Sequence, residues 1–117
     1  MEIDKDLVAA SATPLVLAIL SEGQSYGYAI IKRVKELSGG QLVWTDGMLY
    51  PLLHRLERNG WVEAFWGNSE SGRKRRYYRI TGAGLEELKR HQLQWKVINE
   101  TMKGLWRLAL DPSERLG

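Results

Sequence analysis

Near the middle of the chain stand the ten residues that decide the fold, Asp46-Gly47-Met48-Leu49-Tyr50-Pro51-Leu52-Leu53-His54-Arg55. Together with Leu56, the leucines of this stretch recur at the i, i+3, i+4 and i+7 positions, which is the spacing of one apolar stripe along a helix. Most of the residues between them are polar, aromatic or basic. We therefore expect a short helix that buries one narrow side and presents the opposite side to a partner.

The ends of this expected helix are marked by the residues that flank it. Thr45 has a side-chain oxygen that can cap the first turn, and Gly60 allows the left-handed turn that ends many helices. The helix should cover residues 46–59, with some distortion tolerated at Pro51 because it lies close to the start. Its outward side should carry Gly47, Tyr50, Pro51, His54, Arg55 and Arg58.

Two further helices are expected before this one. The first should span residues 5–21, with a kink or a fresh start at Pro14, because proline removes a helical hydrogen bond and clashes with the preceding turn. The second should span residues 26–38, with Ser25 as its cap and Gly39-Gly40 as its end.

A β-hairpin is expected after Gly60. Residues 61–66 and residues 74–80 have the composition of two strands. The intervening residues 67–72 are typical of a turn. The period of the sequence thus changes from helical to extended at this point.

The returning strand of the hairpin carries a basic run, Arg73-Lys74-Arg75-Arg76-Tyr77-Tyr78-Arg79. Successive side chains of a strand face opposite ways, so Arg75 and Tyr77 should share one face. Arg76 and Tyr78 should share the other. Not all of these bases can then reach one strand of DNA, and we favour those closest to the turn, whereas Arg79 is typical of a charged edge strand.

A long last helix is expected after the hairpin. It should begin at Thr81 or Gly82, cover residues 83–110 and end at Asp111-Pro112. Alternating steps of three and four residues on this helix resemble the seam of a coiled coil. The seam positions are Leu85, Leu88, Gln92, Trp95, Asn99, Met102, Trp106 and Ala109.

The predicted fold is therefore mainly α with a small β-hairpin. We expect a winged helix-turn-helix over residues 1–82, whose N-terminal helix also contributes to a dimer interface. A long C-terminal dimerisation helix should follow over residues 83–117. The interface should use Leu88, Gln92, Trp95, Asn99, Met102 and Trp106.

Composition and charge narrow the classes of function. The chain has 117 residues, no cysteine and a net charge of +3, so a disulfide framework and a thiolate metal site are excluded, which fits a cytoplasmic protein. The apolar run over residues 7–20 is too short to span a membrane, and it follows acidic residues rather than basic ones. Ten bases and five acids fall within residues 32–79, which favours a partner rich in phosphate.

Double-stranded DNA is the partner that these features favour. A major groove accepts one helix, with its N-terminal side chains nearest the bases. Arg55 is the best candidate for reading a base, and the hairpin bases should reach phosphates or the minor groove. The expected DNA-binding residues are Lys5, Thr45, Gly47, Met48, Tyr50, Pro51, His54, Arg55, Arg73, Lys74 and Arg75.

The sequence resembles the PadR family of bacterial transcriptional regulators. The resemblance rests on residues 17–23 leading into 26–30, on residues 47–57 with Gly60, and on residues 72–81 with Gly84, in the right order and spacing across residues 15–84. Met48 stands where the family usually has threonine, which affects a hydroxyl contact but not the fold. The single C-terminal helix is similar to that of the smaller subgroup, whose multidrug-binding members carry a tryptophan near the dimer centre, where Trp95 stands.

The resemblance implies a small-molecule effector at the dimer centre. Two tryptophans related by a two-fold axis could hold a flat aromatic molecule between them, and Glu100 could balance a cationic one. The alternative is that Trp95 and Trp106 simply fill a closed dimer core. The expected ligand-binding residues are Ala9, Ala12, Thr13, Trp95, Asn99 and Glu100.

The sequence therefore predicts a DNA-binding transcriptional regulator, a homodimeric repressor of a palindromic operator that an aromatic effector releases. A winged-helix module that binds other proteins is the alternative, because fold alone does not decide function. An enzyme is not expected, since no catalytic constellation stands out. The two histidines, His54 and His91, lack the spacing of metal ligands, so neither a metal nor a cofactor is expected.

Overall fold

The computed structural model of the chain describes residues 1–110, which form four helices and a two-stranded hairpin. This mainly helical arrangement confirms the predicted fold class. The predicted helix end at Asp111-Pro112 lies outside the described residues, and the division into two domains stays a prediction. The elements are α1 (Lys5–Ser21), α2 (Gly27–Leu37), α3 (Asp46–Arg58), β1 (Val62–Asn68), β2 (Lys74–Ile80) and α4 (Gly82–Leu110).

The core lies where α1, α2 and α3 meet the base of the hairpin. The predicted leucine stripe of α3 is buried, each of its four members being no more than 6 % exposed. Leu17 of α1, Ile30 of α2, and Val62 and Tyr78 of the hairpin belong to the same cluster. Burial of one such aliphatic side chain contributes about 1.5–3 kcal/mol, so the stripe determines which side of α3 faces outward.

The first two helices differ from the sequence predictions in two respects. Helix α1 continues through Pro14 without interruption, so no fresh start occurs there. The cap position of α2 is occupied by Tyr26 rather than by Ser25. Ser25 instead exchanges two backbone hydrogen bonds with Tyr78 of β2, at 3.0 and 2.8 Å. The predicted cap is wrong because Ser25 forms a β-bridge with the hairpin, and the helix begins only after it.

The hairpin is antiparallel, with a register that runs from the pair Val62 and Ile80 to the pair Asn68 and Lys74. Strand β1 therefore extends beyond the predicted residues 61–66 and includes Gly67, which was predicted to lie in the turn. The turn itself is closed by a hydrogen bond of 2.8 Å that the Ser69 N–H donates to the Arg73 carbonyl.

Helix α4 is joined closely to the base of the hairpin. The Thr81 hydroxyl accepts a hydrogen bond of 3.0 Å from the Gly84 N–H and donates one of 2.6 Å to the Gly60 carbonyl. A Cβ atom at Gly84 would lie only 2.1 Å from the Trp61 carbonyl oxygen, so α4 can approach this closely only with glycine there. Leu88, one turn further on, is part of the core.

Beyond Leu88, α4 continues beside α1 as far as Asn99. The described residues extend over 65 × 30 × 21 Å, and the far part of α4 leaves apolar side chains in solvent. Leu93, Val97, Leu105 and Trp106 are each more than half exposed. Exposed apolar surface of this extent is typical of an interaction site.

Trp44, in the loop between α2 and α3, lies in the core. Its side chain is 4 % exposed, and its Nε1–H finds no hydrogen-bond acceptor among residues 1–110. The indole therefore contributes its apolar surface to the packing of the loop. Within the same residues, none of the helices combines the length and hydrophobicity of a bilayer-spanning segment.

Candidate nucleic-acid interface

The outward side of α3 is formed as the sequence predicts. Thr45 caps the helix, its hydroxyl oxygen accepting a hydrogen bond of 3.2 Å from the Met48 N–H. Pro51, His54 and Arg55 are exposed, as the positions opposite a buried leucine stripe should be. The first turn of α3 is open at Gly47 as well, where an added Cβ would meet no atom closer than 3.9 Å.

Two predicted DNA-binding residues of α3 also have packing roles. Met48 is half-buried and packs against the core, so little of its side chain is left to meet a groove. The phenol of Tyr50 lies over the first residue of α2, because a Cβ atom at Gly27 would be 2.5 Å from the Tyr50 hydroxyl oxygen. Tyr50 therefore connects α3 to the start of α2 while remaining partly exposed.

Arg55, the predicted base-reading residue, points toward α1 in this structure. Its Nη2–H donates a long hydrogen bond of 3.5 Å to the Thr13 hydroxyl oxygen. Both side chains lie on the protein surface at this point, and a bond of this length contributes little. Arg55 therefore has to leave Thr13 before it can reach into a groove, and base reading stays a prediction.

The basic residues of the hairpin fall into two groups according to their partners. Arg76 forms an ion pair of 3.3 Å with Glu57 of α3, and Arg79 forms one of 3.0 Å with Glu63 of β1. Among residues 1–110, no carboxylate lies within 4.0 Å of the charged nitrogens of Arg73, Lys74 or Arg75. The three bases nearest the turn are thus the ones whose charge is not already neutralised by a neighbour.

The two faces of β2 carry the residues that strand alternation predicts. On the inner face, Tyr78 is buried, and burial raises the pKa of its phenol, a shift that a hydrogen bond with Arg76 partly opposes. On the outer face, Arg75 and Tyr77 lie together, and both contact Tyr26 at the start of α2. The predicted division between the two faces is confirmed.

An aromatic row on the outer face was not predicted from the sequence. The Arg79 guanidinium lies 4.7 Å from the ring centroid of Phe65, and Phe65 stacks on Tyr77 with centroids 5.7 Å apart. Tyr77 meets the edge of Tyr26 at the same distance, and the Arg75 guanidinium lies 3.8 Å over the Tyr26 ring. Strand alternation places Phe65 opposite Tyr77, but no local signal connects either residue with Tyr26.

The surface that results is continuous from α3 to the hairpin. Tyr50 of α3 lies against Gly27, and the neighbouring Tyr26 lies against Arg75 of β2. The start of α2 thus lies between α3 and the hairpin, with Gly27 against α3 and Tyr26 against β2. Lys5, which was also predicted to contact DNA, is exposed in the first turn of α1, and its role stays a prediction.

A groove of about 320 Å³ lies between α1 and α4. Trp95 and Asn99, two of the predicted ligand-binding residues, line it together with Leu88 and Gln92 of the predicted dimer interface. The side chains that α1 and the α2–α3 loop contribute are Ser11, Pro14, Leu15, Ala18 and Leu42.

The other predicted ligand-binding residues do not line this groove. Ala12 is buried in the core, and Thr13 faces Arg55. Ala9 and Glu100 are exposed elsewhere. The groove of a single chain is lined by Ser11 rather than by these residues, and their part in a site at a dimer centre stays a prediction.

The predicted interface residues of α4 differ in how much surface they leave for a second chain. Leu88 is 93 % covered by its own chain, being only 7 % exposed, so most of its surface is not available to a partner. Trp95 and Met102 are half-buried, and Trp106 is largely exposed. The far part of the predicted seam is thus the part that an interface would cover.

The histidines do not form a metal site in the described part of the chain. His91 lies 3.2 Å from Glu87 on α4, whereas His54 is exposed on α3. Across residues 1–110, no group of three or more potential ligands is gathered closely enough to hold an ion.

Comparison with known proteins agrees with the fold. The model of the transcriptional regulator PadR-like family matches residues 16–90. A transcriptional regulator of known structure from Clostridium thermocellum is 30 % identical over 87 % of this chain and 96 % of its own, with a TM-score of 0.79. A PadR-like transcriptional regulator from Bacillus cereus is 27 % identical over 87 % of this chain and 97 % of its own, with a TM-score of 0.77.

A curated relative shares a shorter part of its length. The transcriptional regulator YqjI of Escherichia coli is 29 % identical over 89 residues, which make up 76 % of this chain. The same residues make up 41 % of YqjI. The chain therefore corresponds to less than half of that protein.

Proposed function

This chain belongs to the transcriptional regulator PadR-like family, and we propose that it is a homodimeric repressor of a palindromic operator. Each subunit would place its α3 helix in the major groove of one half-site. Members of this family are transcriptional regulators that bind DNA, not enzymes. Such a protein would act in the cytoplasm, where the DNA lies. A helix in each of two half-sites requires their centres to be about one helical turn, or 34–36 Å, apart.

One observation carries the DNA-binding part of the proposal. The exposed side of α3 lies next to those hairpin bases that have no carboxylate partner. The start of α2 connects the two, because Tyr50 lies on Gly27 and Arg75 lies on Tyr26. A groove-sized helix beside a basic wing supplies both base contacts and phosphate contacts.

The predicted seam of α4 supports the dimer. Trp106 on this seam is 58 % exposed, and Trp95 and Met102 are only half-buried. A second copy of α4 would cover this side in an isologous contact, in which the same surface is used on both chains. Trp106→Glu should then shift the protein toward monomer in sedimentation experiments, whereas Lys89→Glu, at a polar position on the same helix, should not.

The groove at Trp95 supports an effector. Its lining is largely apolar, with polar groups from Ser11, Gln92 and Asn99, and a flat aromatic molecule would fit such a lining. The two DNA-binding regions of the dimer could adopt different spacings. A molecule that binds more tightly to one spacing than to another would change the affinity for DNA, because the two binding equilibria are then coupled. Trp95→Ala should abolish fluorescence quenching by a flat aromatic dye and leave operator binding intact.

Binding to duplex DNA from the region upstream of the gene, measured by fluorescence anisotropy over a series of salt concentrations, tests the central claim. We expect the logarithm of affinity to fall linearly with the logarithm of salt. Lys74→Ala should reduce that slope by about 1 for a lost phosphate contact, whereas Lys89→Ala should leave it unchanged. Absence of binding to any duplex at low salt would contradict the proposal.

A further inference from the structure

We infer that Tyr26 and Tyr77 are positioning residues that hold the Arg75 guanidinium ready to contact a phosphate of the DNA backbone. This contact would lie where the hairpin approaches α3. The inference rests on the proposed DNA-binding function and adds to it two residues that no DNA-binding prediction included. It concerns the outer face of the hairpin, where an arginine is held by rings rather than by a carboxylate.

The contacts of Arg75 leave its hydrogen-bond donors available. Its guanidinium lies 3.8 Å over the Tyr26 ring, and among residues 1–110 no carboxylate lies within 4.0 Å of it. Stacking on a ring uses the face of the guanidinium, while its N–H groups point outward in the plane. A phosphate oxygen can therefore accept from Arg75 without breaking the stack.

Arg79 shows what the alternative arrangement looks like on the same face. It also lies over a ring, 4.7 Å from the centroid of Phe65, but its Nε–H donates a hydrogen bond of 3.0 Å to Glu63. The charge of Arg79 is thus neutralised within the hairpin. Both guanidinium groups lie over a ring, and they differ in whether a carboxylate accepts from their N–H groups.

The ring under Arg75 is itself fixed from two sides. Tyr77 meets the edge of Tyr26 at an interplanar angle of 77°. The Tyr77 ring in turn lies against Gly67, where a Cβ atom would be 2.8 Å away. The backbone pairing of Ser25 with Tyr78 fixes the neighbouring residue of each tyrosine. An arginine held in this way loses less conformational freedom on binding than a free one.

Arg75 borders a concave surface beside the hairpin turn. Tyr26 and Arg75 line a concave surface of about 480 Å³ with residues of the hairpin turn, among them Glu70. Glu70 is exposed and is the acid on this surface. Its carboxylate opposes an incoming phosphate, so Glu70→Gln should strengthen binding of any duplex.

A double-mutant cycle between Tyr26 and Arg75, with DNA affinity as the readout, tests the inference. Arg75→Ala should weaken binding and lower the salt slope by about 0.9. Tyr26→Leu should weaken binding by about two- to fivefold, the effect expected of one exposed cation–π contact, with the salt slope unchanged. In the Arg75→Ala background Tyr26→Leu should have no further effect, whereas in the Arg79→Ala background it should keep its full effect.

Two further measurements separate positioning from folding. Tyr26→Phe keeps the ring and should bind DNA like the wild type, and the thermal unfolding of each variant shows whether its fold is intact. An equal loss from Tyr26→Leu in both arginine backgrounds would overturn the inference while leaving the proposed function standing. Failure of the wild-type protein to bind duplex DNA would overturn both.

Discussion

Helix α3 and the β1–β2 hairpin present basic side chains to the same surface, but different kinds of contact hold them there. Four leucines of α3, one after another along its inner side, are buried in the core. The hairpin has only Val62 and Tyr78 buried among residues 62–80, and it depends on aromatic contacts, a backbone bridge to Ser25 and an ion pair with Glu57. The outward side of α3 therefore follows from its own sequence, whereas that of the hairpin follows from residues far along the chain.

The largest effect should come from the buried stripe of α3. Leu53→Ala removes a side chain that is fully buried and should lower the free energy of unfolding by about 2–5 kcal/mol. Urea denaturation at a fixed protein concentration measures this change. The neighbouring His54→Ala, on the exposed side, should stay within about 0.5 kcal/mol of the wild type, and a comparable loss there would mean that the outward side also supports the fold.

A smaller loss is expected where the hairpin meets α4. Gly84→Ala would bring a Cβ atom against the Trp61 carbonyl oxygen, and the helix would have to move, at a cost of about 1–3 kcal/mol. Gly82→Ala is the matched control, because a Cβ atom there would meet nothing within 4 Å. In thermal unfolding, the midpoint of Gly82→Ala should be equal to or higher than that of the wild type. Equal losses of stability in the two variants would show that the close approach at Gly84 is unimportant.

The inner face of the hairpin should respond to alkaline pH. Burial raises the pKa of Tyr78 above its ordinary value of 10.0, so the folded chain holds this proton more tightly than the unfolded chain does. The resulting stability is fully present below the unfolded pKa and is lost as pH rises through the folded pKa.

Tyr78→Phe isolates this contribution. The variant lacks the titrating phenol, so its stability should fall less steeply than that of the wild type above pH 10. Denaturation at a series of pH values compares the two proteins. Parallel pH profiles would show that other groups cause the alkaline loss.

The smallest change in stability is expected from the ion pair between the two regions. Glu57→Gln breaks a partly exposed pair that contributes about 0–1 kcal/mol, but it also frees Arg76 and should raise the affinity for duplex DNA. Glu63→Gln adds the same charge and frees Arg79, which lies further from the turn. Fluorescence anisotropy should show a larger increase in DNA affinity for Glu57→Gln than for Glu63→Gln. Equal increases would mean that only the overall charge of the protein matters.

The same contrast explains what could be predicted from the sequence. The boundaries, cap and buried stripe of α3 were predictable because capping and helical period involve residues within four positions of each other. The two faces of β2 were predictable for the same reason, since alternation is local. The order of the elements was predicted from the same local patterns, and the family resemblance agreed with it.

Several of the errors and omissions involve residues distant in sequence. Nothing near Ser25 indicates that its backbone pairs with Tyr78, and nothing near Arg76 indicates that Glu57 neutralises it. The groove at Trp95 shows how sensitive such predictions are. One residue along a helix turns a side chain by about 100°, so Ala12 lies in the core while Ser11 lines the groove.

The buried indole of Trp44 gives the chain a distinctive optical property. An indole in an apolar setting without a hydrogen-bond acceptor emits at shorter wavelength than one in water, and dissolved quenchers reach it less easily. Iodide should therefore quench the emission of the exposed Trp66 and Trp106 first. The blue edge of the spectrum would then follow the integrity of the core at Trp44, while the red edge would follow events on the wing and on α4.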